Sequence, residues 1–165
     1  MDMKTYLTES ERTASNEPMR TDLVSDFEFY YSATAAVLKI KELDAMKKAL
    51  FYGKKPDESI IPQDIDDYFN SYASQNVVHA ILGIVTEAGE LLELLLDKNK
   101  YSNSKLKDEC GDGLWYNAML IRDLKETFES VGESNLTKLK VRYPDKFDKA
   151  LAVQRNEDKE NAVFA

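Results

Sequence analysis

From Pro62 to Pro144 the chain contains no other proline, and only Ser102-Asn103-Ser104 and Gly132-Glu133-Ser134 look like turns between them. Proline removes a backbone donor and clashes with the preceding helical turn, so a stretch this long without one leaves room for long helices. Apolar residues recur there at three- and four-residue spacing, and the period-two alternation of strands is absent throughout the chain. The fold class read from this is all-α. Upstream, Phe27, Tyr30, Tyr31, Ala35, Val37, Leu38, Ile40, Leu43 and Met46 keep helical spacing, predicting a helix that ends near Gly53. A connection at 54–64 should follow, then helices near 65–73, 75–98, 104–130 and 134–142. Residues 1–25 are polar and aperiodic and read as an arm, residues 26–157 as a helical domain, and 158–165 as a polar tail. The segment 145–165 has room for one short helix.

Composition narrows the chemistry. The 165 residues are 43% apolar, enough for one core, and no apolar run is long enough to span a bilayer. The segment 1–25 lacks the apolar centre of a secretory signal. A single cysteine, Cys110, excludes an internal disulfide framework and a cysteine-based zinc cluster. A reducing, cytoplasmic setting is expected. With 22 Lys+Arg against 30 Asp+Glu the net charge is -8, unsuited to holding duplex nucleic acid through its phosphates. One histidine, His79, cannot supply a di-iron bundle that needs a Glu-x-x-His on each of two helices. Neither GxGxxG nor GxxxxGK[ST] occurs, so glycine-rich phosphate cradles are missing.

What remains is carboxylates. On a helical wheel of 77–97, Ile81, Leu82, Val85, Ala88, Leu92, Leu95 and Leu96 form a broad apolar stripe. Ala80, Leu91 and Leu94 surround Glu87 on the other side, and Glu90 lies one turn along. A helix apolar nearly all round is buried on more than one side, and a carboxylate there needs a partner or a metal. The next helix repeats the arrangement with Glu109, Asp112 and Tyr116 on one stripe. Its other face carries Leu106, Cys110, Leu114, Ala118, Ile121, Leu124 and Phe128. The short turn at 99–104 should make these helices antiparallel, so that Glu87 and Glu90 face Glu109 and Asp112. Four converging carboxylates repel without a cation, and an all-oxygen donor set points to magnesium or manganese. A single Glu-x-x-Glu is usually a solvated helix face; two in apolar company on successive helices are less easily dismissed. Glu93 and Asp108 read as surface residues, His79 as a hydrogen-bonding structural residue, and Trp115 and Tyr143 as core or interface aromatics.

Glu87-Ala88-Gly89-Glu90, followed on the next helix by Glu109-Cys110-Gly111-Asp112, resembles the ExxE…ExxD pattern of the all-α nucleoside triphosphate pyrophosphohydrolases. The strings HAILGIVTEAGELLELL, DECGDGLWYNA and NLTKLKVRYPDKF, with Ala152, Arg155 and Asn156 behind them, are similar to MazG-like members, including phage-encoded ones. The resemblance covers roughly 75–157 and implies an oligomeric, antiparallel four-helix-bundle core. It also implies that the four acidic residues bind magnesium and that nucleotide is cut between its α and β phosphates, giving nucleoside monophosphate and pyrophosphate. Tyr116 is then placed to pack on sugar or base. Lys138, Arg142 and Lys146, at i,i+4 spacing, are the cations expected at the triphosphate, set against the alternative of a solvated basic face. Expected partners are the nucleotide and further copies of the chain, a dimer or tetramer, with neither nucleic acid nor membrane. A nucleotide-binding sensor or sequestering module without turnover, and a purely structural helical assembly, are the rivals.

Overall fold

The structure, a computed structural model, describes residues 2–15, 23–54, 73–154 and 156–164. It is all-helical among these residues, and the chain divides into two compact units, Arg20–Leu124 and Met1–Met19 with Lys125–Ala165.

The first unit holds α2 (Asp26–Tyr52), α3 (Gln75–Leu96) and α4 (Asn103–Asp123). Helix α2 starts at a capping box, with Ser25 and Glu28 satisfying each other's backbone donors, and stops at Gly53, whose φ of 66° only glycine adopts without strain. Ser74 caps α3 and Ser102 caps α4. The Ser74 hydroxyl also donates to Asp123 at 3.0 Å, joining the start of α3 to the end of α4, as an antiparallel hairpin requires. Helix α2 runs antiparallel to α3 as well, because Lys41, Lys47 and Tyr52 meet Glu93, Thr86 and His79 in reverse order. Two glycines let these helices approach: a Cβ on Gly83 would stand 2.1 Å from the Tyr116 ring, and one on Gly89 would stand 2.4 Å from Ile40. The connection at 54–64 and the helix expected near 65–73 lie outside the described residues, apart from Lys54 and Ala73 at their ends.

The buried face of α3 is not the expected apolar stripe. Ala80, Gly83, Thr86, Glu87, Gly89 and Leu94 are buried, whereas Ile81, Ala88 and Leu95 of the stripe are exposed. Small residues win the helix contacts because they permit close backbone approach, which leaves the larger side chains outside. On α4, Leu114 and Leu124 are likewise exposed.

The second unit contains α1 (Met3–Glu11), α5 (Phe128–Arg142), α6 (Lys149–Val153) and α7 (Glu157–Asn161), ending in a 3-10 turn, Ala162–Phe164. The segment read as an aperiodic arm therefore holds a helix, Met3–Glu11, capped by Asp2. Tyr6 donates to Asn135 at 3.1 Å, and the Arg12 guanidinium donates to the carbonyls of Tyr143 and Asp145. Tertiary hydrogen bonds supply what local periodicity does not.

The helix expected over 104–130 is broken earlier. Lys125 has φ 60°, and Thr127 caps α5 in a reciprocal pair with Ser130, while Gly132 sits buried inside α5 rather than at a turn. A cap of this kind stabilises by about 1 kcal/mol, comparable to the helix penalty of one glycine, so Gly132 cannot dictate the break.

Candidate active site

Helices α3 and α4 each present one acidic pair. The structure brings Glu87, Glu90 and Glu109 together, with a carboxylate oxygen from each within 4.8 Å of the others. Glu87 is buried, Glu109 half-buried and Glu90 exposed, so the cluster opens at one side. Asp112 lies one turn further along α4 and is exposed. It falls outside the set of mutually close oxygens, although its charge acts on both Glu87 and Glu109.

Burial, reinforced by the charge of Glu90, raises the Glu87 carboxyl above the ordinary glutamate range, and Lys47 partly opposes this. Glu109 is raised for the same reasons, burial first and then the charges of Glu90 and Glu87. Like charges held this close, in an all-oxygen donor set, suit a hard divalent cation.

The sequence does not single out the residues behind Glu87. Lys47 on α2 is 3% exposed. Its ammonium reaches Thr86 Oγ1 at 2.6 Å, the Tyr116 hydroxyl at 3.3 Å, Asp44 Oδ1 at 3.3 Å and Glu87 Oε1 at 3.8 Å. It also lies 5.0 Å from the centroid of the Tyr116 ring. Lysine on an amphipathic helix is ordinarily solvated, and the helix supplying Lys47 ends well before the acidic motifs begin. The only local trace is the i,i+3 and i,i+4 spacing of Asp44 to Lys47 and Lys48.

From Tyr116 the polar contacts run on to Tyr52 at 3.4 Å and from Tyr52 to His79 Nε2 at 3.1 Å. His79 stacks on Phe51 with centroids 4.0 Å apart and meets Trp115 edge-on. Burial, with Lys47 behind it, lowers the His79 pKa and favours the neutral ring. His79 is thus hydrogen-bonded to Tyr52 and packed among aromatic rings. Tyr116 is buried beneath this aromatic group with its ring against Gly83, and Trp115 is the half-exposed member. Burial and the Tyr52 contact hold the Tyr116 hydroxyl well above the usual tyrosine range, so it stays protonated.

In the second unit the basic residues of α5 and its end are not equivalent. Lys138 is half-buried and Lys146 exposed. The Arg142 guanidinium grips Glu160 with two nitrogens, Nε at 2.8 Å, and Glu160 is 2% exposed. That pairing holds the arginine charged. Glu93, expected at the surface, is half-buried and paired with Lys41; Asp108 is exposed, and Tyr143 is buried.

A family model described as the MazG nucleotide pyrophosphohydrolase domain matches residues 75–147. This stretch of the chain is similar to the MazG family. No curated protein and no solved structure matches the chain. The MazG match spans α3, α4 and α5, which carry both acidic pairs and the basic segment. MazG domains act on nucleotides and use a divalent metal, and the all-helical architecture agrees with the match. Helix α2, the source of Lys47 and Asp44, precedes the matched residues.

Proposed function

We propose that the protein hydrolyses a nucleoside or deoxynucleoside triphosphate between its α and β phosphates, giving the monophosphate and pyrophosphate, with magnesium as its metal and manganese able to substitute. The observation that carries the reading is the approach of Glu87, Glu90 and Glu109 to within 4.8 Å, on two helices inside the matched domain. Asp112 completes the ligand set at the exposed margin. A divalent ion held by Glu87, Glu90, Glu109 and Asp112 would supply charge neutralisation for the polyphosphate and a more acidic bound water. Glu87, the most buried carboxylate of the cluster and raised in pKa, is our choice for the group that accepts the water's proton. Lys138 and Lys146 are our candidates for the phosphates on their sequence spacing within the matched domain. Arg142 can join them only by exchanging Glu160 for phosphate oxygens.

The exposed stripe on α3, with Ile81 at 49% and Leu95 at 60%, supports self-association. No helix among the described residues is long and apolar enough to cross a membrane.

The test is a panel of ordinary and modified triphosphates incubated with magnesium, with products resolved by chromatography. Monophosphate and pyrophosphate are expected, and chelator should abolish both. Orthophosphate as the first product, or tight binding without turnover, removes the hydrolytic assignment.

A further inference from the structure

One buried cation stands against the acidic cluster from outside the matched domain. Lys47 is 3% exposed, and its ammonium donates to the Thr86 and Tyr116 hydroxyls and pairs with Asp44. Thr86 is itself fixed, since its hydroxyl donates to the Gly83 carbonyl at 2.9 Å. Tyr116 is fixed by its packing on Gly83. The ammonium therefore has little freedom, and the acidic group it faces 3.8 Å away is Glu87. Acidic groups outnumber cations here: Lys47 meets Asp44 and Glu87, Lys48 pairs with Asp44 and feels Glu90 and Glu87 as well, and Glu90 and Glu109 cluster with Glu87.

We propose that Lys47 is a positioning residue that acts as a built-in counter-cation of the carboxylate cluster, holding Glu87 in place while the site lacks metal and opposing the entry of a divalent ion. An ammonium this close to a ligand carboxylate compensates part of its charge when no metal is present. The same ammonium repels a cation bound to that carboxylate. Helix α2 thus sets how strongly α3 and α4 take up metal, and it biases loading toward conditions in which the phosphates of a nucleotide add their own negative charge. Lys47 touches neither phosphate nor base in this account. It works through Glu87. The inference rests on the reading of the cluster as a cation site.

The two roles give opposite signs for one substitution, which a merely structural lysine does not. In Lys47→Met the cluster loses its internal compensation, so manganese should bind the full-length protein about tenfold more tightly. The metal-free protein should melt lower, and manganese should raise its Tm by more than it raises that of the wild type. Lys47→Gln, which can still donate to Thr86, should behave in the same direction and serves if the methionine variant does not fold. Lys47→Arg, keeping the charge, should restore an affinity near the wild-type one. Calorimetric titration of Mn2+ into the nucleotide-free proteins, with melts alongside, reads all of this without activity. If wild type binds Mn2+ and both neutral variants bind it equally or more weakly, this role for Lys47 is wrong while the metal assignment stands. If the wild type binds no Mn2+, both fail together.

Discussion

Each unit of the molecule sets a cation against a buried carboxylate, and the two sites are built differently. In the second unit Arg142 and Glu160 form an ion pair, with two nitrogens on two oxygens and side chains only 17% and 2% exposed. In the first unit Lys47 donates to two hydroxyls, pairs with Asp44 and faces Glu87 at 3.8 Å, with Glu90 and Glu109 clustered with Glu87. A pair of matched opposite charges holds structure together. An acidic surplus has a standing demand for positive charge, and it can open at one side to receive it. The difference between a buried ion pair and a site is therefore stoichiometric before it is geometric.

The largest expected effect strikes the surplus. Glu109→Ala should lower turnover on the order of a hundred- to a thousandfold, because it removes charge aimed at the reacting phosphates. Its Tm in the absence of metal should hold or rise, since one repelling carboxylate is gone. A large loss of Tm in that variant would mean that the cluster is structural, like the Arg142 site, and the contrast would collapse.

The balanced pair should show the converse. Arg142→Ala leaves Glu160 buried without its guanidinium, a change expected to cost about 3 kcal/mol in denaturant unfolding. Turnover per folded molecule should fall far less than in Glu109→Ala. A kcat collapse at unchanged stability would instead place Arg142 at the phosphates.

A smaller effect tests the packing that supports Lys47. Gly83→Ala puts a methyl 2.1 Å from the Tyr116 ring, and overpacking of that kind costs about 1–3 kcal/mol. The ring and its hydroxyl must shift, so metal affinity should change together with stability. A silent substitution would show that α3 and α4 pack more loosely than this contact requires.

The smallest effect is a pH dependence. Glu87 and Glu109 titrate above the ordinary value of 4.5, so the folded, metal-free protein binds protons more readily than the unfolded chain there. Stability from these two groups is lost as pH rises from 4.5 through their raised values, and regained as pH falls back through that window. Melts of the metal-free wild type across that range, minus those of Glu87→Gln, should show this slope. Saturating metal should reverse it, because protons then compete with the ion. A difference of zero or of opposite sign would place Glu87 in a more solvated setting.

Much of this was open to reading from the residues alone. The proline-free span and three-four spacing predict α3 nearly to its ends, and two acidic pairs on successive helices suffice to propose a cation site. Local signals failed where tertiary contacts compete with them. Gly132 looked like a turn but lies inside α5, because the Thr127–Ser130 cap and the left-handed Lys125 set the break. The apolar stripe of α3 looked like the core, yet Gly83 and Gly89 draw the neighbouring helices to the opposite side.

The sequence by itself determined the helical class and the two acidic pairs, since periodicity and short-range spacing are local properties of a chain. Only the tertiary structure decided that Glu87, Glu90 and Glu109 converge while Asp112 stands apart, that Glu160 holds Arg142, and that Lys47 backs Glu87. Lys47 and Glu87 are distant along the chain, and nothing in the spacing of either records the other. Their partnership comes from the antiparallel packing of α2 on α3, where the absence of a Cβ at Gly89 lets Ile40 come close.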